Sequence, residues 1–424
     1  MKRLHYAWFV CLGGAMALFC TIGLGINLFS VFQPELIRLN GFSNAQGSWI
    51  TTTRSLFTLA SLFTVNQLCA RFGLRLVMTL GTVLVGLSCL CFGAANSFPF
   101  YCLAAALTGI GYCYGGMVPL SLAIGHWFRD RQGLALGLAA AGSGISTILA
   151  PGLLTGLMNR FGLAAAFWVE GAFILAVSVL VWLLVRDNPR AMAMYPYSLG
   201  GMEQPRPIFR PQAPAPTSAQ RLGLLLATLL VGGMGGPGFS HLMVLYTSEG
   251  YSSAMVAFLM SYLGAVISLG KILCGYVYDR LGGRLGNWYI FGVSLLGLLL
   301  CSLAPLGGMV LPLLAVTLFG LGLPISAVSP ARWASDLFPS TGYEPAVRSL
   351  TVAYTVGMLV FGPVPGALAD WLGSYVPAYL LFALLLVAAA LILQGIYRAQ
   401  RVGGPPASLN APSPTAPPQP PMPR

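Results

Sequence analysis

Two cations stand where the chain is otherwise apolar. Lys271 lies alone in the run from Tyr262 to Tyr278, and Arg54 interrupts the run from Trp49 to Cys69. A charge at the centre of a bilayer costs about 3 kcal/mol on insertion scales, so such residues are usually kept for an ion or substrate path. At ~1.5 Å of helix rise per residue, Lys271 falls ~13 Å from Arg280, near the middle of a ~30 Å hydrocarbon core. Arg54 falls ~25 Å from Arg71 by the same rise, where its long side chain could snorkel to the outer boundary. Together the two would make a cavity attractive to an anion. The bland alternative is that each only braces helices.

Groups that could orient an anion are scattered through the same runs. Tyr112 and Tyr114 sit among Gly109, Gly111, Gly115 and Gly116, where small residues permit close helix approach and hydroxyls can hydrogen-bond a carboxylate. Asn27, Tyr354 and His241, the last following Gly235-Gly236-Pro237-Gly238, are further candidates. Core packing is the commoner reason for such tyrosines, and a hydrogen-bonded structural role for a lone histidine. Glu170 is the one acid well inside an apolar run, with Arg160 as its expected structural partner.

The elements that must carry these residues follow from composition. Of 424 residues 57% are apolar and 8% charged, whereas soluble domains carry about 25% charged residues. Apolar stretches long enough for helical spans, each of ~20 residues, recur about twelve times in two groups of about six. A barrel would show ~10-residue alternating segments instead. The expected fold is therefore all-α and polytopic. Residues 1–185 form one six-helix half, 186–220 a cytoplasmic linker, 221–400 a second six-helix half, and 401–424 a disordered Pro-rich tail. The first span is too long for a signal-peptide core and reads as a retained helix.

Lys and Arg collect on one side of the spans, leaving only Arg38 and Arg160 outward and Arg54 and Lys271 inside the membrane. That pattern places both termini in the cytoplasm and makes the net charge of +12 a topology signal that says little for nucleic acid. The nine cysteines form no Cys-x-x-Cys pair and no cluster with histidines, so neither a disulfide framework nor a metal site is expected. A phosphate-cradling loop and a His-Glu-x-x-His pair are missing, so the chain does not read as an enzyme or an ATP-driven pump, and no cofactor is expected.

An offset of 209 residues lays Arg71, Gly73 and Arg75 over Arg280, Gly282 and Arg284, between the second and third spans of each half. Parallel repeats of this kind are a transporter signature, with binding near the midplane between the halves. The segment from Gly275 to Arg284, Gly-Tyr-Val-Tyr-Asp-Arg-Leu-Gly-Gly-Arg, resembles the loop motif G-x-x-x-D-R-x-G-x-R of the major facilitator superfamily. The first copy, Asn66 to Arg75, carries Asn66 and Ala70 where the motif has glycine and aspartate. Such a loop suits a moving joint: Gly282 allows a tight turn, and Asp279 could pair with Arg129 or Arg131 in one state and release it in another.

His5-Tyr6-Ala7-Trp8, and Trp127 to Gly137 leading into Ala141-Gly142, resemble the monocarboxylate transporter and oxalate/formate antiporter branch of that superfamily. The resemblance places Lys271, with Gly275 and Asp279, at that branch's substrate-binding arginine. Lysine keeps the charge and loses the planar fork. Ile267 stands where proton-coupled relatives carry an acid, and Asn27 where they carry a lysine.

The resemblance implies a major facilitator fold and an alternating-access secondary transporter for a small organic anion, a monocarboxylate or small dicarboxylate. Substrate-binding residues would be Lys271, Arg54, Tyr112, Tyr114, Asn27, His241 and Tyr354. Gating loops would use Asp279, Arg280, Gly282, Arg284, Arg71, Gly73, Arg75, Arg129 and Arg131. The implied setting is a monomer in the inner (plasma) membrane, with a small-molecule substrate, the bilayer, and a coupled proton or counter-anion as partners. A carrier or efflux pump for a neutral or hydrophobic solute is the alternative, and a non-transporting membrane receptor a more distant one.

Overall fold

A computed structural model describes residues 5–129, 132–198, 216–326, 328–339 and 342–400. Arg131, most of the expected linker and the Pro-rich tail lie outside the described residues. Fourteen helices, numbered here in chain order, run α1 Ala7–Asn40, α2 Asn44–Leu62, α3 Val65–Phe72, α4 Leu74–Ala94, α5 Phe98–Trp127, α6 Gln132–Phe161 and α7 Leu163–Leu184. They continue as α8 Ser218–Ser248, α9 Ser253–Tyr278, α10 Arg280–Cys301, α11 Val310–Ser326, α12 Ser329–Leu337, α13 Pro345–Leu372 and α14 Val376–Gln400. Apart from one bridging pair, Phe128 with Tyr197, no extended pairing occurs among the described residues.

Among the described residues ten helices are long and apolar enough to cross a membrane, eleven when the bent pair α11 and α12 counts as one span. The remaining expected span is α2, continued after a break by α3. It falls short in apolarity because Thr51, Thr52, Arg54, Ser55 and Thr58 line one face, and all five are buried. Trp49, Leu56 and Phe57 on the other side are exposed. An amphipathic span of this kind meets lipid with one face and protein with the other.

Local chemistry sets the breaks. Ser43 and Gln46 make a reciprocal capping box at the start of α2, and Thr217 and Gln220 repeat it at α8. Gly73 (φ 85°) and Gly282 (φ 76°) take the left-handed backbone that L side chains avoid, at equivalent turns of the two repeats. Within α1 the turns widen over Phe19–Leu28, a loosening often found at functional sites, and Gly23 there lies against Ser146 of α6.

Helices α1–α7 and α8–α14 meet closely at one end. The Asp370 carboxylate accepts from the backbone N–H groups of Asn44 (2.9 Å) and Ala45 (2.8 Å), the first residues of α2. Tyr375 Oη donates to Asn44 Oδ1 (3.0 Å), and Asn159 Nδ2 to Ser253 Oγ (3.4 Å). One apolar core, including Phe32, Tyr246, Met260, Tyr375 and Phe382, draws on both sets of helices. A second core, around Met78, Trp127, Phe128 and Val185, belongs to the first set alone. No comparable crossing set of hydrogen bonds appears among the described residues at the end that carries Gly73, Arg129 and Gly282. The described residues are thus joined at one end and parted at the other.

Candidate functional site

Lys271 lies on α9, whose Leu269, Ile272 and Tyr276 are exposed on the flank that would face lipid. At about 100° per residue Lys271 is turned well away from that flank, toward the side of Gly264, Ser268 and Gly275. Nearer the joined end this side packs on α6, with Gly264 against Thr147 and Gly144 against Ser268. About two turns beyond Ser268 the helices have separated: Gly275 of α9 and Gly137 of α6 have open space beside them. Lys271 is exposed at the point of separation, with no hydrogen bond or ion pair among the described residues. Besides Ser268, polar groups of this seam include Thr147 and Asn27, the latter on the widened turns of α1, with its Nδ2 donating to Thr147 Oγ1 (2.8 Å).

Arg54 belongs to a different seam, between α2 and α8. The expected outward reach of its side chain is not what the structure shows. It is 5% exposed, its Nη2 donates to Ser240 Oγ (3.4 Å), and its guanidinium lies 6.0 Å from the Phe29 ring. It is held inside because it occupies the polar face of α2. Tyr112 lies within electrostatic reach of both Arg54 and Tyr354, so three of the expected residues do come together. Tyr114, two positions on and therefore on another side of its helix, shares a hydrogen bond with Thr64 (2.9 Å). Among the described residues no contact joins Arg54 to Lys271, so the two cations serve separate seams.

His241 is fully buried between the two sets of helices. Its Nδ1 lies 2.9 Å from the carbonyl oxygen of Pro237, which can only accept, so Nδ1 carries the proton. Nε2 therefore accepts from Ser48 Oγ at 2.7 Å, and the ring stacks on Tyr375. Neutral, doubly satisfied and away from open space, His241 is a crossing contact toward the joined end. Tyr375, in the turn between α13 and α14, has its phenol pushed up by burial and by Asp370, so it stays protonated and donates to Asn44.

The expected Glu170–Arg160 pair does not form. Glu170 is buried beside Cys89, whereas Arg160 is exposed and lies over the Phe161 ring at 5.4 Å. Glu170 is about two turns inside α7, ~10 Å beyond the turn that follows Arg160.

The loop residues divide between the two repeats. In the first, Asp187 lies against Gly73 and accepts from the backbone N–H of Arg75 (2.9 Å), capping α4 in place of the acid missing at Ala70. The Arg75 guanidinium is tied within its own set, donating to Trp182 O (2.8 Å) and stacked 3.8 Å above the Trp182 ring. In the second, Asp336 lies against Gly283, pairs with Arg332 (3.0 Å) and accepts from Tyr397 Oη (3.1 Å). Arg71 and Arg280 lie over Phe72 and Tyr276 at 5.3 and 5.4 Å, Arg284 is exposed, and Arg129 is exposed with its backbone N–H donating to Tyr197 O.

Sequence reading missed Ser48, Ser240, Thr147, Asp187 and Asp370. Serine and threonine are too common in membrane helices to stand out alone, and both aspartates sit at helix ends, where solvation explains an acid sufficiently.

The sequence pattern of the Major Facilitator Superfamily matches residues 15–344. Monocarboxylate transporter 12 of Mus musculus is 26% identical over 423 residues, covering 92% of this chain and 85% of the relative. The Fujikurins efflux protein of Gibberella fujikuroi is 24% identical over 400 residues, covering 91% and 82%. Among solved structures, a D-xylose-proton symporter superposes with a TM-score of 0.69 at 14% identity, covering 91% of this chain and 96% of its own. A fold of paired helix sets, joined at one end with charged and polar side chains in the seams, and a match over most of its length lead to one conclusion. The chain belongs to the Major Facilitator Superfamily and is a secondary transporter of that kind.

Proposed function

We propose that this carrier moves a small organic anion, a monocarboxylate or small dicarboxylate, by alternating access. The observation that carries the reading is Lys271: an unpartnered cation on the seam between α6 and α9, at the point where the two helices part. Taking a charge from water into this seam costs several kcal/mol, and a bound carboxylate would offset that cost. Asn27 and Thr147 lie toward the joined end of the same seam and could orient it, while Arg54, Tyr112 and Tyr354 add a second polar site across the molecule. The similarity to a monocarboxylate transporter supports the substrate class.

In this reading residues 1–185 and 221–400 rock as two halves about the seams, linked by 186–220. The parted end faces the cytoplasm, because the basic loops lie there. The protein works as a monomer in the inner (plasma) membrane with both termini cytoplasmic, exchanging its substrate against a proton or a counter-anion. The loops around Gly73 and Gly282 act as joints, with Asp187 and Asp336 holding each turn to its own half.

The test is counterflow in liposomes loaded with lactate, pyruvate, formate or oxalate, for wild type and Lys271→Ala. Carboxylate counterflow lost with the lysine bears out the proposal. A folded protein that moves no carboxylate would leave the neutral-solute carrier as the better reading, in keeping with the similarity to an efflux protein.

A further inference from the structure

At the joined end, away from Lys271, a cleft of about 370 Å³ opens between α1 and α6 of the first set and α8 and α9 of the second. Its size falls in the range of small-molecule sites, roughly 300–1,000 Å³. Its polar lining is Glu35, Arg38, Thr155, Asn159, Thr247 and Ser253. We propose that this cleft is a second binding site, for an electrically neutral, hydroxyl-rich small molecule.

Three observations carry the assignment. Thr155 is 3% exposed and its Oγ1 has no hydrogen-bond partner, although a helical threonine can ordinarily donate to a carbonyl one turn back. An orphaned buried hydroxyl costs about 1–3 kcal/mol; Thr155 lines the cleft, and a rotation about χ1 that turns Oγ1 to its surface would let a ligand oxygen satisfy it. Second, the charges of the lining are already spent on each other. Both oxygens of Glu35 are engaged by Arg38, at 2.8 Å from Nε and 2.6 Å from Nη2. An anionic ligand would have to displace Glu35 and then sit beside it, and a cation would meet Arg38.

Third, the remaining groups want both donors and acceptors. Thr247 Oγ1 donates its proton to Met243 O and can still accept, while Asn159 and Ser253 share only a long 3.4 Å contact. Ligand hydroxyls meet that mixed demand, since each both gives and receives.

The walls come from both sets of helices, so the site is complete only while this end is joined. A molecule bound there stabilises that arrangement and slows its opening, because a ligand shifts an equilibrium by its differential affinity for the two states. That effect on transport rests on the alternating-access reading above, whereas binding itself does not.

The test is equilibrium binding of labelled glucose to the purified full-length protein, with lactate and ethanolamine as charged probes. The proteins compared are wild type, Thr155→Val, Thr155→Leu and Lys271→Ala, each checked for folding by its thermal unfolding. Saturable glucose binding is expected, weakened about tenfold by Thr155→Val, abolished when leucine fills the cleft, and unchanged in Lys271→Ala. No saturable glucose binding, or tighter binding of either charged probe at the Thr155 site, overturns the proposal. Glucose binding that survives Thr155→Leu but disappears in Lys271→Ala overturns it too, by placing the sugar in the other seam. Because the readout is binding, a failure of carboxylate counterflow leaves this result readable.

Discussion

Lys271 and Arg54 are both membrane-depth cations in the sequence, yet they stand in different circumstances. Arg54 already has Ser240 and the Phe29 ring, whereas Lys271 has an open seam. Lys271→Ala should therefore lower carboxylate counterflow by roughly 10- to 100-fold, the equivalent of about 1.5–3 kcal/mol for a charge-assisted hydrogen bond. Lys271→Arg should retain most of it, and an alanine variant with undiminished flux would remove the lysine from the mechanism. At Ser48 the expectation concerns stability. Ser48→Ala leaves His241 Nε2 buried without a donor, a loss of about 1–3 kcal/mol that would appear as a lower unfolding temperature in detergent.

At the scale of helices, apolar run length made most spans legible, because ~20 apolar residues have few other uses. The second span, a run from Trp49 to Cys69 in the sequence, is the one that falls short in apolarity as a helix, since its buried face is threonine, serine and Arg54. The turns at Gly73 and Gly282 were legible from the repeat, and both carry the same positive-φ backbone. What holds each turn was not, because Asp187 and Asp336 come from distant helix ends and only the fold brings them to glycine. At the site, Lys271 was legible from its charge, but its partners across the seam were not, since hydroxyl groups carry no periodic signal. Gly73→Ala should destabilise by about 1–3 kcal/mol from backbone strain alone, with further loss from crowding against Asp187. Thermal unfolding of Gly73→Ala beside Gly162→Ala, where φ is a similar 89° and there is free space, separates the two causes.

For the whole molecule, the contact between Asp370 and the start of α2 joins one set of helices to the other through a carboxylate and two backbone donors. A carboxylate at a helix N-terminus is worth about 1–2 kcal/mol, so Asp370→Ala should move the population toward the arrangement parted at that end by roughly 5- to 30-fold. Spin-label distances across that end read the shift, and an unchanged distribution would show that the cap carries no bias. Conversely, Ser30→Cys with Met260→Cys in a background lacking other cysteines should be bridged by a short bis-methanethiosulfonate reagent, since Ser30 Oγ and Met260 Sδ approach to 3.8 Å and a cysteine sulfur stops one bond short of Sδ. Transport should stop on bridging and return on reduction.

The same cap bears on the tempo of the cycle. An attraction present in only one end state deepens that state, so the empty carrier must climb out of it unaided, whereas bound substrate can lower the climb. Solute placed on the far side of the membrane should then accelerate uptake from the near side. Vesicles loaded with substrate should fill with label faster than empty ones, and Asp370→Ala should narrow the difference by quickening the unloaded return.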